Sequence, residues 1–233
     1  MGEGALMEFL ASALAWLADP AHWAGPDGIP ARIGEHLVIS AAGVGAAALL
    51  AIPVGLVLGH VGRGGFVAIN VAGVGRALPT FAVLVVAFIA LLPLGTVAFG
   101  FGPTFIAMIA LSLPPILTNT FVAVREVDRD VVEAARGMGM SEAQILRRVE
   151  LRLGLPLILA GVRTASVAVI ATATLGALIA GGGLGRYIID GLQRQEYERL
   201  FAGAVLVALL AIGTELAFGL LQRVAGRTLE AAR

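Results

Sequence analysis

Five long apolar stretches constrain the fold of this chain more than any other feature of its sequence. A helix needs about 20 apolar residues to cross the hydrocarbon core of a bilayer. The composition fits several such crossings, since 58% of the 233 residues are hydrophobic, 14% are charged and the mean hydropathy is +0.93. A soluble enzyme of this size could not sequester so much apolar surface, so we predict an all-α, polytopic membrane protein with about five transmembrane helices. The stretches cover residues 37–59, 66–92, 104–124, 155–180 and 200–221.

The charged and metal-ligating residues exclude several functional classes. The 16 basic residues, all arginine, balance 16 acidic residues, so no net field favours nucleic acid. The chain has no cysteine and its three histidines are scattered, so we expect no disulfide, thiolate or metal site. The ionisable groups inside the predicted spans are Arg76, Arg163 and Glu215. They form no cluster at catalytic spacing, and we therefore expect no catalytic residues.

The distribution of arginine predicts the orientation of the chain. Five spans place the two termini on opposite sides of the membrane. Ten arginines lie between spans one and two, between spans three and four, and in the tail at residues 223–233, whereas four lie on the other side. Because cytoplasmic segments carry an excess of arginine, we predict that the N terminus is outside and the C terminus inside.

The N-terminal segment, residues 1–32, precedes the predicted transmembrane domain. Residues 5–17 are apolar, but the run is short and contains Glu8. It is either an interfacial helix or a poor extra span, with Trp16 and Trp23 in the headgroup zone. No basic region precedes it, so we do not expect a cleaved signal.

The segment between spans three and four, residues 125–154, carries 12 of the 32 charged residues of the chain, more than any other segment outside the predicted spans. Asp128 and Asp130 precede a short helix-prone run, where acidic groups favour a helix start. Glycines at 137 and 139 interrupt that run, and Ser141 with Gln144 has the spacing of a capping box that begins a second helix through about residue 153. The pattern predicts a helix, a glycine elbow and a helix. The alternative is a solvated charged loop with incidental glycines.

One spacing pattern in this segment is specific. Glu133-Ala134-Ala135 is followed after three residues by Gly139, and after nine more by Val149-x-Leu151. This pattern resembles the EAA loop of ABC importer permeases. The pattern of that family then has a proline, where this chain has Arg152 and its nearest proline is Pro156. The departure affects how the chain enters span four.

Further motifs lie at Arg76–Thr80, Pro114–Thr120, Gly137–Met140, Ala160–Ala165 and Gly181–Gly185. They resemble the quaternary-ammonium osmolyte branch of the same family, which imports glycine betaine, choline or carnitine. The resemblance covers about residues 33–222 and implies the type I importer fold, which is also that of methionine permeases. The glycine motif at 181–185 occurs in methionine-type permeases too, so a permease for an amino acid such as methionine is the alternative.

The resemblance also implies the partners of the chain. A type I importer combines two permease subunits, two cytoplasmic ATPase subunits and an external substrate-binding protein, here a separate polypeptide, in the lipid of a prokaryotic cell membrane. A chain without lysine has no phosphate-binding Gly-x-x-x-x-Gly-Lys motif. We therefore expect no cofactor on this chain, with ATP and Mg²⁺ used by the ATPase. Residues 181–199 would face the binding protein, with Arg186, Asp190, Arg194, Glu196 and Glu198 as polar contacts.

Three groups of residues are candidates for roles in transport. Those in the EAA loop would contact the ATPase. Prolines would bend helices at the translocation path, where nearby polar side chains add hydrogen-bonding groups; alternatively, this second group joins helices together. Arg163 and Glu215 would form an intramembrane ion pair, with or without a part in transport. The ATPase-coupling candidates are Glu133, Ala134, Ala135, Gly137, Gly139 and Met140, and the path candidates are Pro79, Pro114, Asn119 and Thr120.

Overall fold

The computed structural model describes residues 3–62 and 65–230, and every regular element in that part of the chain is helical. The apolar stretches form long helices because each lacks the alternating pattern of a half-buried strand and closes its backbone hydrogen bonds internally. Short 3₁₀ segments follow several of them, at Pro20–Trp23, Leu92–Ala98 and Ala173–Ile179. The α-helices are α1 Glu3–Ala18, α2 Ile29–Val61, α3 Gly65–Ala77, α4 Thr80–Leu91, α5 Phe101–Arg125, α6 Arg129–Gly137, α7 Glu142–Ile145, α8 Leu151–Thr172, α9 Gly185–Arg194 and α10 Tyr197–Glu230.

Five helical segments are long and apolar enough to cross a membrane, which confirms the predicted number. Helix α1 is shorter than any of them. Spans one, three and five extend beyond the predicted apolar stretches at both ends, because their helices continue into flanking residues that include polar ones. The five segments are Ile29–Val61, Thr80–Ala98, Phe101–Arg125, Glu142–Ile179 and Tyr197–Val224.

The second apolar stretch is not one helix, and its predicted bounds of 66–92 were wrong. Helix α3 ends at Ala77 and α4 begins at Thr80. Pro79 separates them, because proline has no backbone N–H to donate and its ring disfavours the helical conformation at Leu78. The candidate span therefore begins at Thr80 and continues through the 3₁₀ segment to Ala98.

The fourth span also differs from its predicted start near residue 155. Helix α7, a π-helical turn at Leu146–Glu150 and α8 follow one another without a break. The second loop helix is thus the beginning of span four rather than a separate element. The helix runs unbroken through Arg152, and Pro156 lies inside α8.

The chain divides into two compact units. The first comprises Met1–Gly43, Thr80–Met108 and Val169–Gly213. Its core contains Ile29, Leu184, Tyr187 and Val207, and Trp16 of α1 packs against that cluster. The Trp16 ring also stacks on His22 with a centroid distance of 3.8 Å. Aromatic and apolar contacts therefore hold α1 against this unit.

The second unit comprises Val44–Pro79, Ile109–Ala168 and Thr214–Arg233. Two glycines one helical turn apart allow α2 and α5 to approach closely in it. A methyl group at Gly55 would lie 2.8 Å from Thr120, and one at Gly59 would lie 2.7 Å from Val124. Gly55 and Gly59 thus form a small-xxx-small contact between the two helices.

We expect Gly55→Leu to destabilise the protein strongly, because the new side chain would force α2 away from α5. Overpacking of this kind costs about 1–3 kcal/mol or more. The measurement is the thermal midpoint and folded yield of the purified protein. Gly45→Leu is the matched control, since Gly45 lies on the same helix with no other group within 4 Å of its missing side chain. Equal stability of the two variants would contradict the close contact.

Candidate functional site

The charged segment between α5 and α8 forms a helical elbow with defined caps at each turn. The Asp128 carboxylate accepts a hydrogen bond from the Asp130 N–H at 2.9 Å and caps the start of α6. At the start of α7, the Ser141 hydroxyl accepts from the Gln144 N–H, and the Gln144 side chain accepts from the Ser141 N–H at 2.8 Å. Both predicted helix starts, including the capping box, are confirmed.

Within the elbow, the turn between α6 and α7 is a Schellman motif centred on Gly139. The Met140 N–H donates to the Ala135 carbonyl and the Gly139 N–H to the Arg136 carbonyl, at 3.2 and 3.0 Å. This arrangement ends a helix with a residue in the left-handed region, and Gly139 has a φ of +83°. Met140 then packs on a small apolar cluster of the loop. Glycine is needed at position 139 because a side chain would strain that backbone conformation.

The ATPase-coupling candidates fall into two groups, those that pack on the apolar cluster of the loop and those that are exposed. The cluster contains Val127, Val132, Ala135 and Ile145, all buried. Ala135 is 2% exposed, so its side chain faces the loop interior. Met140 is partly buried, and the other candidates, Glu133, Ala134, Gly137 and Gly139, are exposed.

Met138 was not among the predicted contact residues, although it is the most exposed large apolar side chain of the elbow, at 76%. It lies between Gly137 and Gly139, which have no neighbouring groups within 4 Å of their missing side chains. An exposed methionine flanked by open glycines forms an adaptable apolar surface. The signal was in the sequence, as an apolar residue inside a charged loop.

An ion pair joins the two helices of the elbow, and contacts of the His60 ring join them to the end of α2. The Arg136 guanidinium donates to both Glu142 carboxylate oxygens, at 2.7 and 2.9 Å, and this hydrogen bonding raises the pKa of Arg136 above its usual value. The His60 ring contacts Glu142 at 3.2 Å and Glu150 at 2.6 Å. The contact between His60 and Glu150 was not predicted from the sequence, because the two residues are 90 positions apart.

The path candidates lie at two places in the second unit. Pro79 is exposed at the break before α4, whereas Pro114, Asn119 and Thr120 lie on α5. The Asn119 amide donates to the Pro115 carbonyl and the buried Thr120 hydroxyl to the Ile116 carbonyl, each at 2.8 Å. Both bonds are made to carbonyl groups of the same helix, one turn earlier. Thr120 also forms the contact with α2 described above.

The structure brings Arg163 of α8 and Glu215 of α10 together. The Arg163 Nε donates to Glu215 at 2.8 Å, and a second guanidinium N–H contacts the other carboxylate oxygen. Arg163 also donates to the Gln222 side chain at 2.7 Å. The two charged side chains are 32% and 44% exposed and line a cavity of about 590 Å³. Gln222 was not predicted from the sequence, although it is the third polar side chain of this cluster with Arg163 and Glu215.

The residues proposed to face a binding protein are less uniformly exposed than predicted. Asp190 is buried and pairs with Arg186 and Arg199, at 3.1 and 3.4 Å. Burial raises the pKa of the Tyr187 hydroxyl, which donates to the Asp27 carbonyl. The remaining predicted contacts are two exposed residues, Arg194 and Glu196, and the partly exposed Glu198.

Glu35 was not predicted from the sequence and contributes to the same unit. Its carboxylate accepts from the Gly183 N–H at 2.7 Å and from Arg32 at 2.8 Å. It borders a cavity of about 250 Å³, which Phe101 and Thr104 also line. A side chain at Gly182 would collide with the Glu35 carboxylate, so glycine at this position leaves room for that carboxylate.

Comparison with known proteins identifies the family. The family described as binding-protein-dependent transport system inner membrane component matches residues 51–227, about three quarters of the chain. The chain belongs to this family. It is therefore a multi-pass transport subunit of the inner membrane, working in a system that depends on a substrate-binding protein.

Individual relatives support the assignment. The permease is 40% identical to the choline transport system permease protein OpuBB of Bacillus subtilis, over 76% of this chain and 79% of that protein. It is 38% identical to the glycine betaine/carnitine/choline transport system permease protein OpuCB of the same organism, over 78% and 81%. Its fold is similar to that of the MetNI methionine ABC transporter in inward-facing conformations, with a TM-score of 0.73, 21% identity and coverage of 84% and 95%. This last likeness confirms the predicted type I importer fold.

Proposed function

We propose that this chain forms the translocation path of an ATP-driven importer for a quaternary-ammonium osmolyte, namely glycine betaine, choline or carnitine. The observation that carries the proposal is the 38–40% identity, over more than three quarters of the chain, to permeases named for these solutes. The methionine alternative is weaker, because beyond the glycine motif at 181–185 it rests on a structural likeness at 21% identity, which supports the fold alone.

The elbow is the proposed contact with a separate cytoplasmic ATPase. Its exposed residues are small or flexible, and a partner can approach the backbone closely at Ala134, Gly137 and Gly139. Glu133 supplies a charge-assisted contact at the same surface, and Met138 adds apolar area. Ala135 supports this surface from the loop interior. ATP and Mg²⁺ would bind to the ATPase, since this chain has no lysine for a phosphate-binding loop.

The continuity of the helices supports a mechanical role for the elbow. Helix α7 continues through the π-helical turn into α8, and α5 ends three residues before the Asp128 cap. A displacement of α6 by the ATPase would therefore move α5 and α8 together. Such rigid-body movement would open and close the path by alternating access.

The remaining partners follow from the proposed orientation, with the N terminus outside and the C terminus inside. Residues 181–199 would then dock the external binding protein, through exposed Arg194 and Glu196 rather than buried Asp190. A second permease subunit, identical or related, would complete the path.

The test is reconstitution of the permease in lipid vesicles with its ATPase and its binding protein. Choline, glycine betaine, carnitine and methionine are added separately, and ATP hydrolysis and uptake of radiolabelled solute are measured. We expect a quaternary ammonium to stimulate both activities. A response to methionine alone would overturn the substrate assignment but leave the importer.

Ala134→Arg tests the elbow in the same vesicles, because a long charged side chain at an exposed alanine would keep the ATPase from seating. We expect uptake to fall by about tenfold or more, the equivalent of about 1.4 kcal/mol of docking energy. Ala24→Arg is the control, as Ala24 is also an exposed alanine and lies in the other unit. Unchanged uptake in Ala134→Arg would exclude this surface as the docking site.

A further inference from the structure

One imidazole connects three separate parts of the second unit. His60 lies at the last turn of α2. Its Nδ1 contacts Glu150, at the end of the π-helical turn, at 2.6 Å. Its Nε2 contacts Glu142, the first residue of α7, at 3.2 Å. Glu142 in turn holds Arg136 of α6 through two hydrogen bonds. Both arms of the elbow are thus connected to α2 through side chains.

The burial of Glu150 makes this connection specific. Its side chain is 6% exposed, and the His60 side chain is 15% exposed. A buried carboxylate is costly unless a partner satisfies it, so removing that partner leaves an unpaired group. Glu150 also ends a π-helical turn, a feature that is frequent at functional sites in helical proteins. The contact is therefore not an incidental surface pair.

The position of His60 allows it to pass movement from the elbow to α2. The preceding residue, Gly59, lies directly against Val124 of α5, and Gly55 lies against Thr120. Close packing fixes this end of α2 to α5, while His60 fixes it to α7 and the π-helical turn. Displacement of the elbow would then act on α2 as well as on the two helices that continue from it.

We propose that His60 is a positioning residue that couples the elbow to α2 through Glu150 and Glu142. This proposal rests on the proposed function, since it assumes that an ATPase moves the elbow. It adds α2 to the helices that respond. The role of His60 is to keep the end of α2 and the elbow together during the transport cycle. Each ATP hydrolysed is then accompanied by movement of the translocation path.

The first test measures solute taken up for each ATP hydrolysed, in vesicles with the complete complex. We expect His60→Ala to lower this ratio about fivefold or more, the range of typical coupling between sites. His60→Gln should retain more of the ratio, because its amide can still donate to Glu150. His22→Ala is the matched control, since His22 is hydrogen-bonded to the Trp16 carbonyl in the other unit. An unchanged ratio in His60→Ala would overturn the proposal, even if uptake and ATP hydrolysis both fell.

The second test does not depend on the transported solute. Hydrogen exchange is measured on the complex of permease and ATPase in lipid discs. We expect His60→Ala to increase exchange both at residues 142–150 and at the last turn of α2, while other helices keep their protection. Unchanged exchange at both places would overturn the coupling proposal. Failure of the wild-type complex to respond to quaternary ammonium compounds would overturn the proposed function alone, and this test would still apply.

Discussion

Gly139→Val is expected to reduce ATP-driven uptake by about tenfold or more. The elbow requires a left-handed backbone at position 139, where φ is +83°. A left-handed conformation costs an ordinary residue about 1–2 kcal/mol, and a β-branched residue is less tolerant still. The variant would lose the Schellman hydrogen bonds of Gly139 and Met140 and turn the exposed surface away from the ATPase. Uptake by the reconstituted complex is the measurement.

Two controls separate the backbone effect from other causes. Gly45→Val, at an open position of α2, should leave uptake close to that of the wild type. Gly137→Ala should leave hydrogen exchange at residues 138–145 unchanged, because Gly137 lies in α6 with a helical backbone. Equal exchange in Gly139→Val and Gly137→Ala would show that the elbow does not depend on the left-handed residue.

Removal of one member of the Arg163–Glu215 pair is expected to reduce the amount of folded protein in the membrane sharply. Either single charge reversal, Arg163→Glu or Glu215→Arg, places two like charges beside each other within spans four and five, where charge is costly. The double reversal restores an attractive pair and should recover most of the folded yield. The measurement is the quantity of monodisperse protein extracted from membranes, together with its thermal midpoint.

Arg194→Glu serves as the control for these reversals, because Arg194 is exposed at the end of α9 outside the candidate spans. It should leave the folded yield unchanged. A double reversal that is worse than either single change would contradict the pairing as the source of stability. Uptake by the folded double variant then shows whether the pair also has a part in transport. A purely structural pair would leave uptake intact.

The number of spans and the local geometry of the elbow could be predicted from the sequence because both depend on nearby residues. A span is a property of about 20 consecutive side chains and the thickness of a bilayer. The Asp128 cap and the Ser141–Gln144 box each join residues two or three positions apart. Gly139 ends α6 through bonds that reach back no further than Ala135. The amino-acid sequence therefore determines these features by itself.

Only the tertiary structure decided which of these residues are exposed and which distant residues meet. Ala135 and Ala134 are adjacent and chemically identical, yet Ala135 is buried because its face of α6 packs on Ile145. His60 and Glu150 are 90 positions apart, and no local pattern relates them. They meet because Gly55 and Gly59 let α2 approach α5, which carries the elbow at its end. Exposure and long-range pairing arise from packing between helices, and that packing is set by shape complementarity over many residues at once rather than by any short motif.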